Sequence, residues 1–124
     1  MEDFIHLHVH TYYSLLDGQS PVEKLVDKAI ANGMRGMAIT DHGNMFGVKE
    51  LFNYCNKVNG KLKKEGKEPF KPIFGCEMYV AHRKKSDRVK EKGDMGGYHL
   101  IVLAKNYNGY KNLIKLVSRA WVDG

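Results

Sequence analysis

The sequence predicts an α/β fold in which parallel strands alternate with helices, as in an open sheet or a barrel. Short apolar segments of strand length alternate along the chain with longer segments whose apolar residues recur every three or four positions. Turn-forming glycine, asparagine and aspartate residues separate the two kinds of segment. Folds of this class carry their functional side chains at the carboxyl ends of strands, so polar residues at those positions are candidate site residues.

Four strands are predicted. Alternating apolar and imidazole side chains predict the first at residues 4–10 and place its three histidines on one face. Continuous apolar segments predict the other strands, at residues 37–40, 72–80 and 98–104. The polar and basic residues 82–97 between the last two strands are predicted to form a loop or an excursion of the strands.

The first predicted helix has both a start and a stop signal. Ser20 is placed as the N-cap, Pro21 at the first helical position and Glu23 as the partner in a capping box. Apolar residues at helical spacing follow, and Gly33 supplies the left-handed residue that ends the helix.

Two further helices are predicted downstream. Apolar residues spaced by three and four positions mark one over residues 48–62, and the six lysines within residues 57–71 predict a solvated face and a loop. Asn108 is predicted to cap the last helix, whose apolar residues lie within 110–117.

The composition fits one small domain. With 124 residues, 43% of them hydrophobic and 27% charged, the chain has no room for two independent cores. The formal net charge of +6 favours a polyanionic partner such as DNA. No apolar run of about 18 residues is present, so we expect no membrane span and a cytoplasmic location. Cys55 and Cys76 are too few for a disulfide framework and are predicted to be small core residues.

Alternating histidines are the first sign of a metal site. His8 and His10 are two positions apart on the predicted strand, so their side chains project from one face about 6 to 7 Å apart along the backbone. A single histidine would suit an ordinary half-buried role, but the alternation favours ligation. His6 lies further from the carboxyl end of the strand and is expected to hydrogen-bond to a ligand rather than to bind metal itself.

Each of the other candidates has an ordinary structural alternative. Asp41 and His42 directly follow a predicted strand, where they could also cap the next helix. Glu77 lies inside a strand, where a buried carboxylate needs either a lysine partner or a metal. His99 is at the start of the last strand, where a neutral core histidine is the alternative, and Asp17 lies in a turn-prone segment.

Taken together, these side chains come from four successive predicted strands and can gather at one end of a sheet or barrel. Mixed imidazole and carboxylate ligands suit Zn, Mn or Fe better than Mg or Ca. Several such ligands, with a carboxylate able to bridge, suit a cluster of metals that activates water for attack on phosphate. The ligand candidates are His8, His10, His42, Glu77 and His99.

Four short motifs occur in order along the chain. They are residues 8–14 (HVHTYYS), 40–44 (TDHGN), 75–77 (GCE) and 97–100 (GYHL). Together they resemble the first motifs of the polymerase and histidinol phosphatase (PHP) family. Residues 13–18 and 109–120 are similar to the branch of that family found at the N-terminus of bacterial replicative DNA polymerases.

The resemblance implies a distorted (β/α)7 barrel that holds up to three divalent metal ions, with Zn or Mn expected. Matched motif by motif, His8 and His10 would bind one metal, and Glu77 would bridge two. His99 would serve the second metal, and Asp17 together with His42 the third. Asp41 and His6 are expected to support the ligands through hydrogen bonds.

The resemblance also implies that residues 1–124 are the N-terminal portion of a PHP domain, with the later barrel strands and the polymerase domains absent. Half a barrel leaves a sheet edge unpaired, so self-association of the fragment is expected. Metal ligands on the missing strands would be absent too, so the fragment alone is expected to be inactive.

For the function, the resemblance implies a parent chain that catalyses DNA-directed DNA synthesis and a PHP domain that acts as a metal-dependent 3′–5′ exonuclease in proofreading. Expected partners are DNA and replisome subunits, including a separate proofreading exonuclease. Two alternatives stay open: a metal-stabilised, non-catalytic platform for that exonuclease, and a phosphatase similar to histidinol phosphatase.

Overall fold

The computed structural model describes residues 5–14, 21–80 and 98–122. Strands and helices alternate along most of that length, which confirms the predicted α/β class. The elements are a 3-10 turn at Tyr12–Ser14, α1 Val22–Ala31, β1 Gly36–Ile39, α2 Val48–Lys64, β2 Lys71–Val80, β3 Tyr98–Leu103 and α3 Tyr107–Val122.

One long strand organises the described sheet, whose order is β1, β2, β3. The first half of β2 pairs in parallel with β1, from Lys71 opposite Gly36 to Phe74 opposite Ile39. The second half of β2 pairs in antiparallel fashion with β3 over the six residues 75–80. The central strand β2 therefore pairs with β1 through its first half and with β3 through its second half.

The prediction of parallel strands is right for β1 and β2 and wrong for β3. Val80 is paired with Tyr98, so the end of β2 and the start of β3 lie side by side. Antiparallel neighbours of this kind need no helical crossover, whereas parallel neighbours do. The polar and basic sequence between β2 and β3 contains no amphipathic helical pattern, which agrees with this arrangement. The predicted loop at 82–97 lies outside the described residues.

The N-terminal segment runs beside β1, and its described residues 5–10 do not form the regular strand predicted at residues 4–10. Phe4 lies outside the described residues. The amide of Ala38 donates to the carbonyl of His6, and the amide of Thr40 donates to the carbonyl of Val9. Between these two hydrogen bonds the N-terminal segment advances by three residues, whereas the β1 side advances by two. The extra residue in the segment interrupts the regular ladder of hydrogen bonds. The hydroxyl of Thr40 accepts the amide of Val9 at 2.9 Å, which holds the segment in place beyond the irregularity.

The stop signal of α1 is confirmed, but its start differs from the prediction. Gly33 adopts a φ of 79°, and its amide donates to Ile30 while the next amide donates to Ala29, closing the helix in a Schellman pattern. At the other end, Pro21 is the flanking residue rather than the first helical one, and it makes no side-chain cap. Ser20 lies outside the described residues.

The other helices also begin or end differently from the prediction. α2 continues to Lys64, so much of the lysine-rich segment predicted as a loop is helical. The cap of α3 is Asn106, because its Oδ1 accepts the amide of Gly109 at 2.9 Å. The predicted cap, Asn108, lies inside the first turn. Both asparagines are good caps by type, and the choice was settled by where β3 ends.

The core lies between the sheet and the two helices α1 and α2. Both cysteines are buried and free, as predicted. None of the described helices is long and apolar enough to span a membrane. The fully or nearly buried apolar side chains of this core are Val22, Val26, Ala29, Met37, Ile39, Val48, Leu51, Cys55 and Phe70.

Replacing the cap of α3 should destabilise the chain measurably. Asn106→Ala removes the acceptor of the Gly109 amide and should lower the free energy of unfolding by about 1 kcal/mol. Asn108→Ala is the matched control, because an exposed alanine within the helix should leave stability within about 0.5 kcal/mol. Urea denaturation followed by circular dichroism measures both. Equal losses from the two variants would contradict the assignment of Asn106 as the cap.

The two thiols should be unreactive in the folded chain. Burial raises the pKa of Cys55 to about 11, and burial together with the charges of Asp41 and Glu77 raises the pKa of Cys76 to about 11. A raised pKa reduces the thiolate fraction at pH 8, so reaction with Ellman's reagent should be about 100-fold slower than for free cysteine. The rate should rise with pH towards 11, and denaturant should expose both thiols. Fast labelling of the native chain at pH 8 would show the burial to be wrong.

Candidate metal centre

Glu77 is the centre of the cluster. It lies in the second half of β2, and its side chain is 1% exposed. Its backbone is held on the β1 side by two hydrogen bonds, since the Glu77 amide donates to Asp41 at 3.0 Å and the Gly43 amide donates to the Glu77 carbonyl at 2.9 Å. The carboxylate therefore starts from a fixed strand position.

Four imidazoles face this carboxylate. The Oε2 atom of Glu77 lies 3.3 Å from His8 Nε2, 3.1 Å from His42 Nδ1 and in close contact with His10 Nε2. The Oε1 atom lies 2.6 Å from His99 Nδ1. The two carboxylate oxygens thus serve different imidazoles, three on one oxygen and one on the other.

His42 and His99 reach Glu77 through the sheet. His42 follows β1 and forms a parallel bridge with Glu77. His99 is the second residue of β3, so in a parallel strand it would lie at the opposite end of the sheet from His42. Because β3 is antiparallel, its amino end lies beside the carboxyl end of β2, and His99 becomes a diagonal neighbour of Glu77 on the same face.

His8 and His10 come from the irregular N-terminal segment. Their Nε2 atoms are 3.2 Å apart, and the rings meet edge to face at a centroid distance of 4.9 Å. The predicted convergence of these two histidines is therefore seen, although no regular strand produces it. His10 also lies against His42, with ring centroids 3.9 Å apart.

The surroundings keep Glu77 ionised. Burial by itself raises the pKa of its carboxyl, but hydrogen bonds from His8 and His10 and the charges of His42 and His10 lower it by more. The net pKa lies below the ordinary value of a glutamate. The carboxylate is therefore negative at neutral pH, and no proton has to leave before it binds a cation.

Tyr79 contacts two of the histidines and was not predicted as a site residue. Its hydroxyl lies 2.8 Å from His42 Nδ1, and its ring meets His99 edge to face at 4.9 Å. Tyr79 is two positions after Glu77 on β2, so the period of a strand places both side chains on one face. That spacing was the available signal for a residue that orients both imidazoles.

Asp41 is buried and serves the backbone that surrounds the site. Its Oδ1 accepts the Thr11 amide and the Ser14 hydroxyl, each at 2.6 Å, and its Oδ2 accepts the Thr11 hydroxyl at 2.8 Å. Ser14 Oγ in turn accepts the His42 amide at 3.1 Å. Asp41 and Ser14 thus tie the turn after His10 to the backbone at His42.

The donor atoms fit a divalent transition metal. The group His8, His10 and Glu77 offers one ligand atom each, all within 4.8 Å of one another. A tetrahedral ion with ligands at about 2.0 Å needs ligand atoms roughly 3.3 Å apart. The separations of 3.2 Å between the two histidines and 3.3 Å between His8 and Glu77 match this requirement, whereas His10 Nε2 and Glu77 Oε2 lie closer together than bound ligands would. Imidazole and carboxylate are also the ligand types that such metals prefer.

Five of the predicted ligand candidates are therefore brought together by the structure. They are His8, His10, His42, Glu77 and His99. Among the described residues, the group of three that could hold a metal ion includes neither His6, whose side chain is exposed, nor Asp41. Asp17 lies outside the described residues.

Comparison with known proteins agrees with this geometry. Residues 6–124 match the family described as the PHP domain. The chain belongs to the PHP domain family. The resemblance that the four motifs indicated is thereby confirmed, and the partial α/β architecture fits a PHP barrel.

The relatives of this PHP domain are polymerase subunits. It is 46% identical over 121 residues to the DNA polymerase III subunit alpha of Treponema pallidum and 45% identical over 123 residues to that of Borreliella burgdorferi. It is 43% identical over 124 residues to the subunit of Thermus aquaticus. These matches cover 98% of this chain and about a tenth of each relative, at 10%, 10% and 9%.

Removing the charge of Asp41 should destabilise the backbone that surrounds the site. Asp41→Asn replaces a carboxylate that accepts three donors with an amide whose NH2 group faces some of them. Such a loss should cost about 3 kcal/mol of unfolding free energy. Asp27→Asn is the matched control, because this exposed carboxylate accepts one bond from Tyr54, and the change should cost less than about 1 kcal/mol. Chemical denaturation of both variants measures the difference, and similar losses would contradict the role of Asp41.

Proposed function

We propose that this PHP domain is part of a bacterial replicative DNA polymerase and hydrolyses phosphodiester bonds at the 3′ end of DNA. The observation that carries the proposal is the convergence of four imidazoles on the buried carboxylate of Glu77. A carboxylate that is 1% exposed is costly to bury unless its charge is compensated. Divalent metal ions, Zn or Mn, are the cofactors that suit its donors.

The ligand roles follow from the two oxygens of Glu77. His8 and His10 would hold one ion together with Oε2, and His99 would hold a second together with Oε1. His42 also faces Oε2 and would serve a third ion with Asp17, which remains a proposal from the motif. Glu77 would thus bridge ions, as the sequence resemblance implies.

Metal ions bound there would lower the pKa of water and neutralise the scissile phosphate. The chain itself supplies fixed positions: β2 holds Glu77, the parallel bridge to Glu77 holds His42, and the hydroxyl of Tyr79 contacts the His42 ring. Such preorganisation keeps the donors in place before substrate arrives.

DNA is the expected substrate and partner. The relatives of this domain are named as DNA polymerase III subunits alpha, and the net charge of +6 favours association with a polyanion. We propose that the parent chain synthesises DNA through other domains, in the cytoplasm and with replisome partners that include a separate proofreading exonuclease. The hydrolytic site would then remove misinserted nucleotides.

Hydrolysis should depend on the cluster. In the intact polymerase supplied with Mn or Zn, a single-stranded oligonucleotide labelled at its 5′ end should shorten one nucleotide at a time. His8→Ala and Glu77→Gln should each slow this reaction by at least about 100-fold, because even partners of metal ligands cost 10- to 100-fold. Isothermal titration should show weaker metal binding by the same variants.

Leu7→Ala is the matched control, since Leu7 is an exposed residue of the same segment whose side chain offers no ligand atom. It should leave metal binding and hydrolysis within about twofold. A preparation whose nuclease activity survives His8→Ala would sink the proposal. Full metal loading without hydrolysis, together with co-purification of an exonuclease subunit, would instead identify a non-catalytic platform.

A further inference from the structure

Trp121 lies beside the cluster although it belongs to the distant end of the chain. It is in the last turn of α3, and its indole Nε1 donates to the carbonyl of Gly43 at 2.7 Å. Gly43 directly follows His42, and its amide donates to the carbonyl of Glu77. Gly43 thus links the two: its carbonyl accepts the indole hydrogen bond, and its amide donates to Glu77 on β2.

The indole ring is held in place and yet open to solvent. Its polar atom is bonded to a backbone carbonyl, but 69% of the residue is exposed. α3 itself is anchored further back, where Leu113 is 2% exposed and the helix packs on β2. Trp121 therefore buries little apolar surface for the fold, and within the described part of the chain its indole is oriented by its hydrogen bond to Gly43.

A second exposed aromatic, Tyr79, lies close to the same turn. Tyr79 is 52% exposed, and a side-chain carbon built on Gly43 would lie 3.7 Å from its ring. Two aromatic side chains thus lie close to the turn at residues 42–43. The hydroxyl of one of them, Tyr79, contacts the His42 ring. The indole of Trp121, in contrast, donates its hydrogen bond to a backbone carbonyl, and the surface of its ring is exposed.

We propose that Trp121 is a stacking platform for the terminal base of single-stranded DNA whose phosphodiester lies at the cluster. The inference rests on the proposed function and adds to it the residue that receives the base. Proteins that bind single strands combine a site for the phosphates with aromatic rings on which bases stack, and any base can stack because each has a π face. A ring fixed beforehand loses little freedom when a base stacks on it.

Cross-linking tests the contact without requiring hydrolysis. The intact protein, supplied with Mn, is mixed with an oligonucleotide that carries 5-iodouracil at its 3′ end and phosphorothioate linkages that resist hydrolysis, and the mixture is irradiated. We expect the cross-linked peptide to contain Trp121, and we expect a 5-iodouracil placed ten nucleotides from the end not to label it. Labelling elsewhere, with none at Trp121, would overturn the proposal.

Kinetics separates stacking from a merely structural role. Trp121→Ala should raise KM for a normal oligonucleotide by about tenfold with little change in kcat. Trp121→Phe keeps a ring but loses the donor to Gly43, and it should stay within about threefold of the wild type. Tyr107→Ala is the matched control, since this 71% exposed aromatic lies at the opposite end of α3.

An oligonucleotide with an abasic 3′ terminus completes the design. It should be bound by the wild type as weakly as by Trp121→Ala, because only the base is missing. If Trp121→Phe falls as far as Trp121→Ala, the indole acts through Gly43 and the stacking proposal is wrong. If hydrolysis is absent but cross-linking at Trp121 persists, the proposed function fails and the stacking contact stands. If the wild type hydrolyses DNA but Trp121→Ala leaves KM unchanged, the stacking proposal fails and the proposed function stands.

Discussion

The buried carboxylate of Glu77 is the constraint on which the rest of the structure depends. A negative charge that is 1% exposed must be compensated locally, and here the compensation comes from imidazoles on three separate parts of the chain. Each of those parts must therefore be held in register with β2. The parallel bridge at His42 and the hydrogen bonds of Asp41 both serve that requirement.

Strand direction decides which side chains can meet. His42 is at the carboxyl end of its strand and His99 at the amino end of its own, yet both face Glu77. A wholly parallel sheet would have separated them by the length of β3. The antiparallel pairing of β2 with β3 is therefore what brings His99 to the site.

Much of this arrangement was predictable from the sequence, because the signals were local. The period of two in the first segment marked His8 and His10. The position of His42 directly after a strand and the carboxylate of Glu77 inside one marked two more. What failed depended on distant partners: the extra residue beside β1, the direction of β3, and the choice of Asn106 over Asn108 as a cap. Tyr79 was missed because a tyrosine on a strand is ordinary until its neighbours are known. The metal ions and the role of Asp17 remain predictions.

Because β2 pairs with two neighbours, it can complete its pairing only in two stages while the chain is synthesised. Its first half can pair with β1 as soon as it leaves the ribosome, but its second half waits for β3. Until His99 has emerged, Oε1 of Glu77 lacks the imidazole that faces it in the finished fold. The binding centre is thus completed late, and the capture of metal during translation would mark the moment at which the nascent chain has passed β3.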